Sequence, residues 1–229
     1  MKLRVITVLS LGIFAAQVSS AGEPQQTLTT QQDKLSYTFG QQFGKNIANY
    51  LKQQGIKLNS NKLVKGIKHA LTDKKPLLTE QEMGQVLMAF QREKFMQLAE
   101  KNRQKGEAFL AKNAKKEGVV SLPSGLQYKV ITPGDGKTPK ATDKVTTHYR
   151  GTLIDGTEFD SSYKRKKPAT FPVKGVIAGW TEALQLMKEG AKWKLFIPAK
   201  LAYGMRGAGN KIGPNTTLIF KIELLKVGD

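Results

Sequence analysis

Between His148 and Phe220 this 229-residue chain spaces out a set of side chains that could do chemistry. In order they are His148-Tyr149-Arg150-Gly151, Phe159-Asp160-Ser161-Ser162, Val176-Ile177-Ala178-Gly179-Trp180, Leu201-Ala202-Tyr203-Gly204 and Thr217-Leu218-Ile219-Phe220. No nucleophile with its base, no group of metal-ligating residues and no phosphate loop goes with them. The chain has no cysteine, which excludes disulfides, thiolate metal sites and thiol catalysis. His69 and His148 stand apart from any Ser-His-Asp arrangement or acidic cluster and read as structural. Pro133-Gly134-Asp135-Gly136 and the run from Gly204 to Gly213 read as turns, since neither leads from a strand into a helix. What remains is a bowl of aromatic and branched apolar side chains with one acid, Asp160, at its rim. Such a bowl suits a reaction that makes no covalent bond, and no cofactor or metal is expected in it. Taken singly the residues have plainer readings: Tyr149, Phe159 and Phe220 as strand core, Asp160 as a turn cap, Trp180 as helix-start packing. It is their joint order that asks for more.

The elements that must position these residues lie after Gly118, where the apolar period falls to two. Leu126 to Val130, Val145 to Ile154 and Lys192 to Leu195 alternate as half-buried strands do, and Thr216 to Leu225 is a more apolar last strand. Asp155-Gly156 is a hairpin signal. Only Thr181 to Met187 reads as helix, closed by Gly190. One short helix over an antiparallel sheet is an α+β half-barrel, and about 110 residues suffice for its own core.

Before Gly118 the pattern is helical. Residues 22–34, rich in Gln and Thr, read as a disordered lead-in. Leu35, Phe39, Phe43, Ile47 and Leu51 then recur every fourth residue on one stripe, with Gly40 and Gly44 inside the helix at about 1 kcal/mol each relative to alanine, and Gly55 ends it. A second helix is expected from Asn59 to Leu71. Thr79-Glu80-Gln81-Glu82 is a capping box opening a helix that meets no strong stop before Gly118. Its first half, with Met83, Val86, Leu87, Phe90 and Leu98, can pack; between Leu98 and Ala108 it is almost wholly polar and reads as a spacer in water. Helices carrying so many Phe and Met make a poor closed core, so a homodimer through residues 31–95 by an isologous interface is expected. Two such spacers would hold two C-terminal domains apart in a V.

The first 21 residues read as a secretory signal: Lys2 and Arg4, an apolar Val5 to Val18, then Ser19-Ser20-Ala21. The apolar run is too short for a permanent membrane span, and without cysteine a lipidated N-terminus is excluded. The expected division is therefore 1–21 signal, 22–118 helical dimerisation domain with spacer helix, and 119–229 catalytic domain, in a protein of the periplasm or outer-membrane surface, or secreted. The formal net charge is +19, or +17 without Lys2 and Arg4, spread along the chain rather than gathered in a tail. It should draw the protein to anionic surfaces; nucleic acid is not an expected partner of an exported chain.

Over roughly residues 119–227 the quoted motifs resemble the FKBP-type peptidyl-prolyl isomerases. The helical N-terminal part with Lys34-Leu35-Ser36-Tyr37, the join Leu122-Pro123-Ser124-Gly125-Leu126-Gln127-Tyr128 and the run Gly179 to Met187 resemble the macrophage infectivity potentiator (Mip) branch. The resemblance implies rotation about X-Pro bonds, Trp180 as pocket floor, and walls from Tyr149, Phe159, Phe171, Val176, Ile177, Ile212 and Phe220. It implies Asp160 as rim acid with Arg165 as its partner, and Tyr203 and the Ile177 N–H as donors to substrate carbonyls. It also implies proline-containing unfolded or exported polypeptides as substrates, rapamycin-class macrolides as inhibitors, a homodimer, chaperone activity and, more remotely, a part in infection. Ala169 replaces a second aromatic found in many members, Ala208 replaces a histidine, and Lys164-Arg165-Lys166-Lys167 is unusually basic, which suggests acidic residues near the substrate proline. A chain-binding protein without essential catalysis and a charge-driven surface adhesin are the competing functions.

Overall fold

The computed structural model describes residues 27–228. The chain divides after Leu77 into two compact units. The first holds two helices, α1 (Gln31–Gln53) and α2 (Ser60–Leu71). Helix α1 begins earlier than its apolar stripe suggests, inside the expected lead-in, because Thr30 and Asp33 form a capping box: the Thr30 hydroxyl accepts from the Asp33 N–H while the Asp33 carboxylate takes the Thr30 N–H. Asn59 caps α2 through the Lys62 N–H at 3.1 Å. Neither helix has a single buried residue. Leu35, Phe39 and Phe43 are half to two-thirds exposed, and the Phe39 and Phe43 rings stack on each other, 6.2 Å apart.

The second unit opens with helix α3 (Glu80–Asn113), started by the expected Thr79–Glu82 capping box. At ~1.5 Å per residue its 34 residues span about 51 Å. The sheet follows: β1 (Val119–Ser121), β2 (Gln127–Thr132), β3 (Lys144–Leu153), β4 (Glu158–Ser161), β5 (Ala169–Pro172), β6 (Lys192–Ile197) and β7 (Leu218–Val227), with one short helix, α4 (Ala178–Leu184), between β5 and β6. All pairings are antiparallel in the order β1-β2-β6-β7-β3-β4, with β5 also on β3. The short β1 and β5 are additions to the expected strands, whereas β4 is the return strand of the hairpin signalled at Asp155-Gly156 and carries Phe159; α4 lies three residues earlier at both ends than the expected Thr181 to Met187. Leu126, Val145, Leu184, Met187, Leu195, Ile197, Leu218, Ile222 and Leu224 are fully buried between α4 and the concave face of the sheet.

The polar second half of α3 does not stand free in water. Ala99, Gly106 and Asn113 are buried. The Asn113 amide donates to Gln127 at 3.0 Å and the Gln127 amide donates to the Leu110 carbonyl at 3.0 Å. The Asn102 amide reaches the Pro214 carbonyl at 2.8 Å, and Phe109 lies 6.0 Å from Phe196. At Gly106 the helix comes so near the sheet that a Cβ would strike the Thr217 side chain. Gly106→Val is therefore expected to destabilise this unit by about 2 kcal/mol through overpacking, read from urea unfolding, although valine for glycine helps an isolated helix.

Candidate active site

The site is built on two neighbouring strands and the entry to α4. Antiparallel β3 and β7 pair Tyr149 with Ile222 and Gly151 with Phe220; period two sends Tyr149 and Phe220 to the concave face. Gly151 is required there, because a Cβ would come within 2.6 Å of the Phe159 ring and 2.7 Å of Phe220. The chain from β5 turns through Val173–Gly175 into α4, and the Thr181 hydroxyl fastens that turn by donating to the Val173 carbonyl at 2.8 Å. Trp180 follows within the first turn of α4, 4 % exposed. Its indole meets Tyr149, Phe220 and Phe171 edge to face at 5.1, 5.1 and 6.0 Å. Such pairs contribute about 0.5–1.5 kcal/mol each beyond their buried area.

Around this hub lies an open cavity of about 600 Å³ lined by Tyr149, Phe159, Asp160, Phe171, Gly175, Val176, Ile177, Trp180, Tyr203, Ala208, Gly209, Ile212 and Phe220. Every site residue named from sequence is in that lining except Arg165, which reaches it from outside. The lining also takes in Gly175 and Gly209, which carry no side chain for a motif to show. Ala208 and Ile212 exchange backbone hydrogen bonds at 2.8 and 3.1 Å, closing the loop that brings Ile212 over the pocket.

At the rim Asp160, Tyr149 and Arg165 form a closed set. The Tyr149 hydroxyl donates to Asp160 Oδ2 at 2.6 Å and accepts from Arg165 Nη2 at 2.6 Å. Arg165 Nη1 and the Ser161 N–H, the latter at 2.8 Å, both donate to Asp160 Oδ1. The guanidinium also lies 5.6 Å from the Tyr149 ring centre. Burial pushes the Asp160 carboxyl up, but the hydrogen bonds from Tyr149 and Arg165 and the guanidinium charge outweigh it and hold the group below its ordinary 3.8. Burial, then the hydrogen bond to Asp160, push the Tyr149 phenol up against the pull of Arg165. Behind them buried Ser162 accepts from the Tyr149 N–H at 2.8 Å and fixes that strand. His148 joins this support: its Nδ1 lies 2.9 Å from the Ser162 hydroxyl and its ring stacks on Tyr163.

Two polar groups in the lining remain open. Tyr203 is 40 % exposed, and among the described residues neither its hydroxyl nor the Ile177 N–H has a hydrogen-bond partner. Ile177 precedes α4 as its N-cap.

The chain matches the family model of FKBP-type peptidyl-prolyl cis-trans isomerases over residues 135–225, and the model of the domain amino-terminal to such isomerases over residues 32–130. It is 49% identical over 234 residues to the outer membrane protein MIP of Legionella longbeachae, covering 99% of this chain and 98% of that one. The chain belongs to this family. The Mip peptidyl-prolyl cis-trans isomerase of Coxiella burnetii is 44% identical, with 99% of each chain covered. The crystal structure of FkpA from Escherichia coli superposes with a TM-score of 0.70 at 42% identity, covering 88% of this chain and 99% of that chain. This Mip-type FKBP is accordingly a peptidyl-prolyl cis-trans isomerase, with N-terminal helices followed by an antiparallel sheet and a short helix.

Proposed function

We propose that the 600 Å³ cavity is where this isomerase turns X-Pro bonds, without covalent chemistry. Rotation breaks amide resonance against a barrier of about 18–20 kcal/mol. The twisted carbonyl is less polarised than the planar one, so a dry aromatic bowl favours the twisted form, which is differential binding of the transition state. The substrate proline ring sits against Trp180, between Tyr149, Phe159, Phe171, Val176, Ile212 and Phe220. Tyr203 and the Ile177 N–H donate to flanking carbonyls. Asp160 is a positioning residue here: Tyr149, Arg165 and Ser161 already occupy its oxygens, so it orients the phenol and guanidinium rather than accepting a proton. The single observation that carries this reading is the rim set on the edge of an aromatic cavity (Tyr149, Asp160 and Arg165), with Ile177 and Tyr203 unpartnered.

Isomerisation of a Leu-Pro peptide, followed by NMR exchange with and without rapamycin, tests it. The full chain should accelerate exchange and the macrolide should abolish the effect. Asp160→Asn should lower kcat/KM about tenfold, on the scale of one charge-assisted hydrogen bond lost from the rim. Because Asp160 is held below 3.8, the wild-type rate should be flat from about pH 8 to about pH 5. Its stabilising contribution is present above the unfolded-state value and is lost only as pH falls through the lowered folded value. A wild-type rate that drops between about pH 7 and 5 would sink the assignment of an ionised, positioning Asp160.

The finer parts of the reading are an exported, homodimeric isomerase with chaperone activity. Export rests on the N-terminal leader pattern, which lies outside the described residues. Among the described residues no helix is long and apolar enough to cross a membrane. The homodimer rests on the apolar stripe of α1, for which the first unit offers no internal cover. Chaperone activity follows if such a dimer holds unfolded chains beside two pockets; a part in infection rests on the family likeness alone.

A further inference from the structure

The opposite face of the same strands carries a second feature. Where Tyr149 and Phe220 point into the pocket, their neighbours Arg150 and Lys221 point away. Strand register sets Lys129 opposite Lys194, Lys194 opposite Lys221, and Lys221 opposite Arg150. Four cations thus stand abreast across four adjacent strands, about 4.8 Å from one to the next. Like charges directly opposed in a sheet are destabilising. The next row shows the ordinary remedy, with Lys192 opposite Glu223 and paired to it at 2.8 Å. The cation row has little of it. Arg150 pairs with Glu158 at 2.5 Å, but Lys129 reaches only the Glu117 carbonyl, Lys194 lies against the Phe196 ring, and Lys221 makes no ion pair among the described residues.

These four side chains line a groove of about 670 Å³ between the end of α3 and the outer face of the sheet. Glu117 is the one acidic residue in its lining, beside Lys116 as a further cation. Next to the cation row runs an apolar one, Phe196 opposite Ile219, extended by Phe109 of α3. The groove therefore asks for an occupant that is anionic on one edge and apolar on the other. The row spans three strand gaps, about 14 Å. An extended peptide with carboxylates on alternate residues places three of them within about 13 Å and turns the intervening side chains the other way.

We propose that this groove is a second binding site, for an extended client segment in which acidic and apolar residues alternate. It lies on the sheet face opposite the isomerase pocket and needs no proline. The segment's carboxylates lie along Lys129, Lys194, Lys221 and Arg150, and its apolar side chains lie on Phe196 and Ile219.

The test uses the full chain and a fluorescein-labelled, proline-free octapeptide in which glutamate and valine alternate, titrated by fluorescence anisotropy at low ionic strength. Saturable binding is expected, and Lys194→Gln/Lys221→Gln should weaken it about tenfold, the scale of two lost ion pairs. Lys62→Gln/Lys65→Gln, which removes the same charge from α2, should change it less than about twofold. An octapeptide of the same composition in two blocks, all its glutamates first and all its valines after them, should bind several-fold more weakly. Equal losses in both double variants would overturn the proposal in favour of diffuse charge. Equal binding of the alternating and block peptides, or displacement of both by linear polyphosphate with the Lys194/Lys221 variant unaffected, would overturn it in favour of unspecific polyanion attraction. Anisotropy that stays flat throughout would overturn it outright. None of these readings involves the pocket, so failure of the isomerase mechanism would show separately in the Leu-Pro exchange experiment.

Discussion

On the proposed homodimer, the wild type is expected to sediment as two protomers and Phe39→Glu/Phe43→Glu as one. Both phenyl rings lie on the stripe of α1, 50 % and 63 % exposed, in a helix with no buried residue. Burying the exposed part of each phenylalanine contributes about 1 kcal/mol, and an isologous interface uses each ring twice. Removing four rings from such an interface would therefore remove about 4 kcal/mol, about a thousandfold in the association constant. Four added carboxylates in its place would add repulsion. Sedimentation equilibrium decides the matter. The isomerase unit begins after Leu77, so the rate on a short Leu-Pro peptide should stay within about twofold of wild type, since no pocket contact is removed. Refolding of a long proline-containing client should slow more than that. A variant that remained dimeric would move the interface away from α1.

Trp180→Ala carries the second large effect. Trp180 is the shared edge-to-face partner of Tyr149, Phe171 and Phe220, and its removal leaves a cavity beneath the pocket. Truncations of this kind cost about 3–5 kcal/mol, so the urea midpoint should fall sharply. At temperatures where the variant is still folded, the proline ring would lose its floor, worth about 2 kcal/mol of apolar contact, or about 30-fold in kcat/KM. Trp180→Phe should recover most of the stability and part of the rate. A folded Trp180→Ala protein with a wild-type rate would mean that the floor of the cavity plays no part in catalysis.

The pocket was legible because its residues are large and held at fixed spacings; Trp180, Tyr149, Phe159-Asp160 and Tyr203 can be seen in the chain itself. The rim set could be anticipated only in part: Arg165 sits in a basic run that reads as solvated, and its link to Asp160 and Tyr149 is a matter of loop conformation. The docked half of α3 was not legible. Its contacts come from Ala99, Gly106, Asn102 and Asn113, small or polar residues that leave no apolar period, and their hydrogen bonds run mainly to backbone carbonyls and to Gln127. Helix α4 starts at Ala178, three residues before its apolar spacing begins, and takes in Gly179, where a Cβ would meet the Ile197 side chain at 2.5 Å: the glycine lets the helix lie close to the sheet. Strands β1 and β5 have three and four residues, too few to show alternation. The cation row is invisible in the chain for a different reason: Lys129, Lys194, Lys221 and Arg150 lie far apart in sequence, and only strand register makes them neighbours.

The docking of α3 also reaches the pocket. Asn102 holds the Pro214 carbonyl, and Asn215 extends its amide to the Ala99 carbonyl at 3.4 Å, so the helix grips the far end of the loop that carries Ala208, Gly209 and Ile212. A gene fusion or natural recombination event that joined the catalytic sheet to a new carrier at Val119 would leave that loop untethered and bare the surface of Gln127, Phe196 and Thr217. The transplantable cassette is longer than the sheet. It has to carry its own splint, the helix from about Leu98 onward, and whatever bends that splint in another setting would retune the mouth of the pocket.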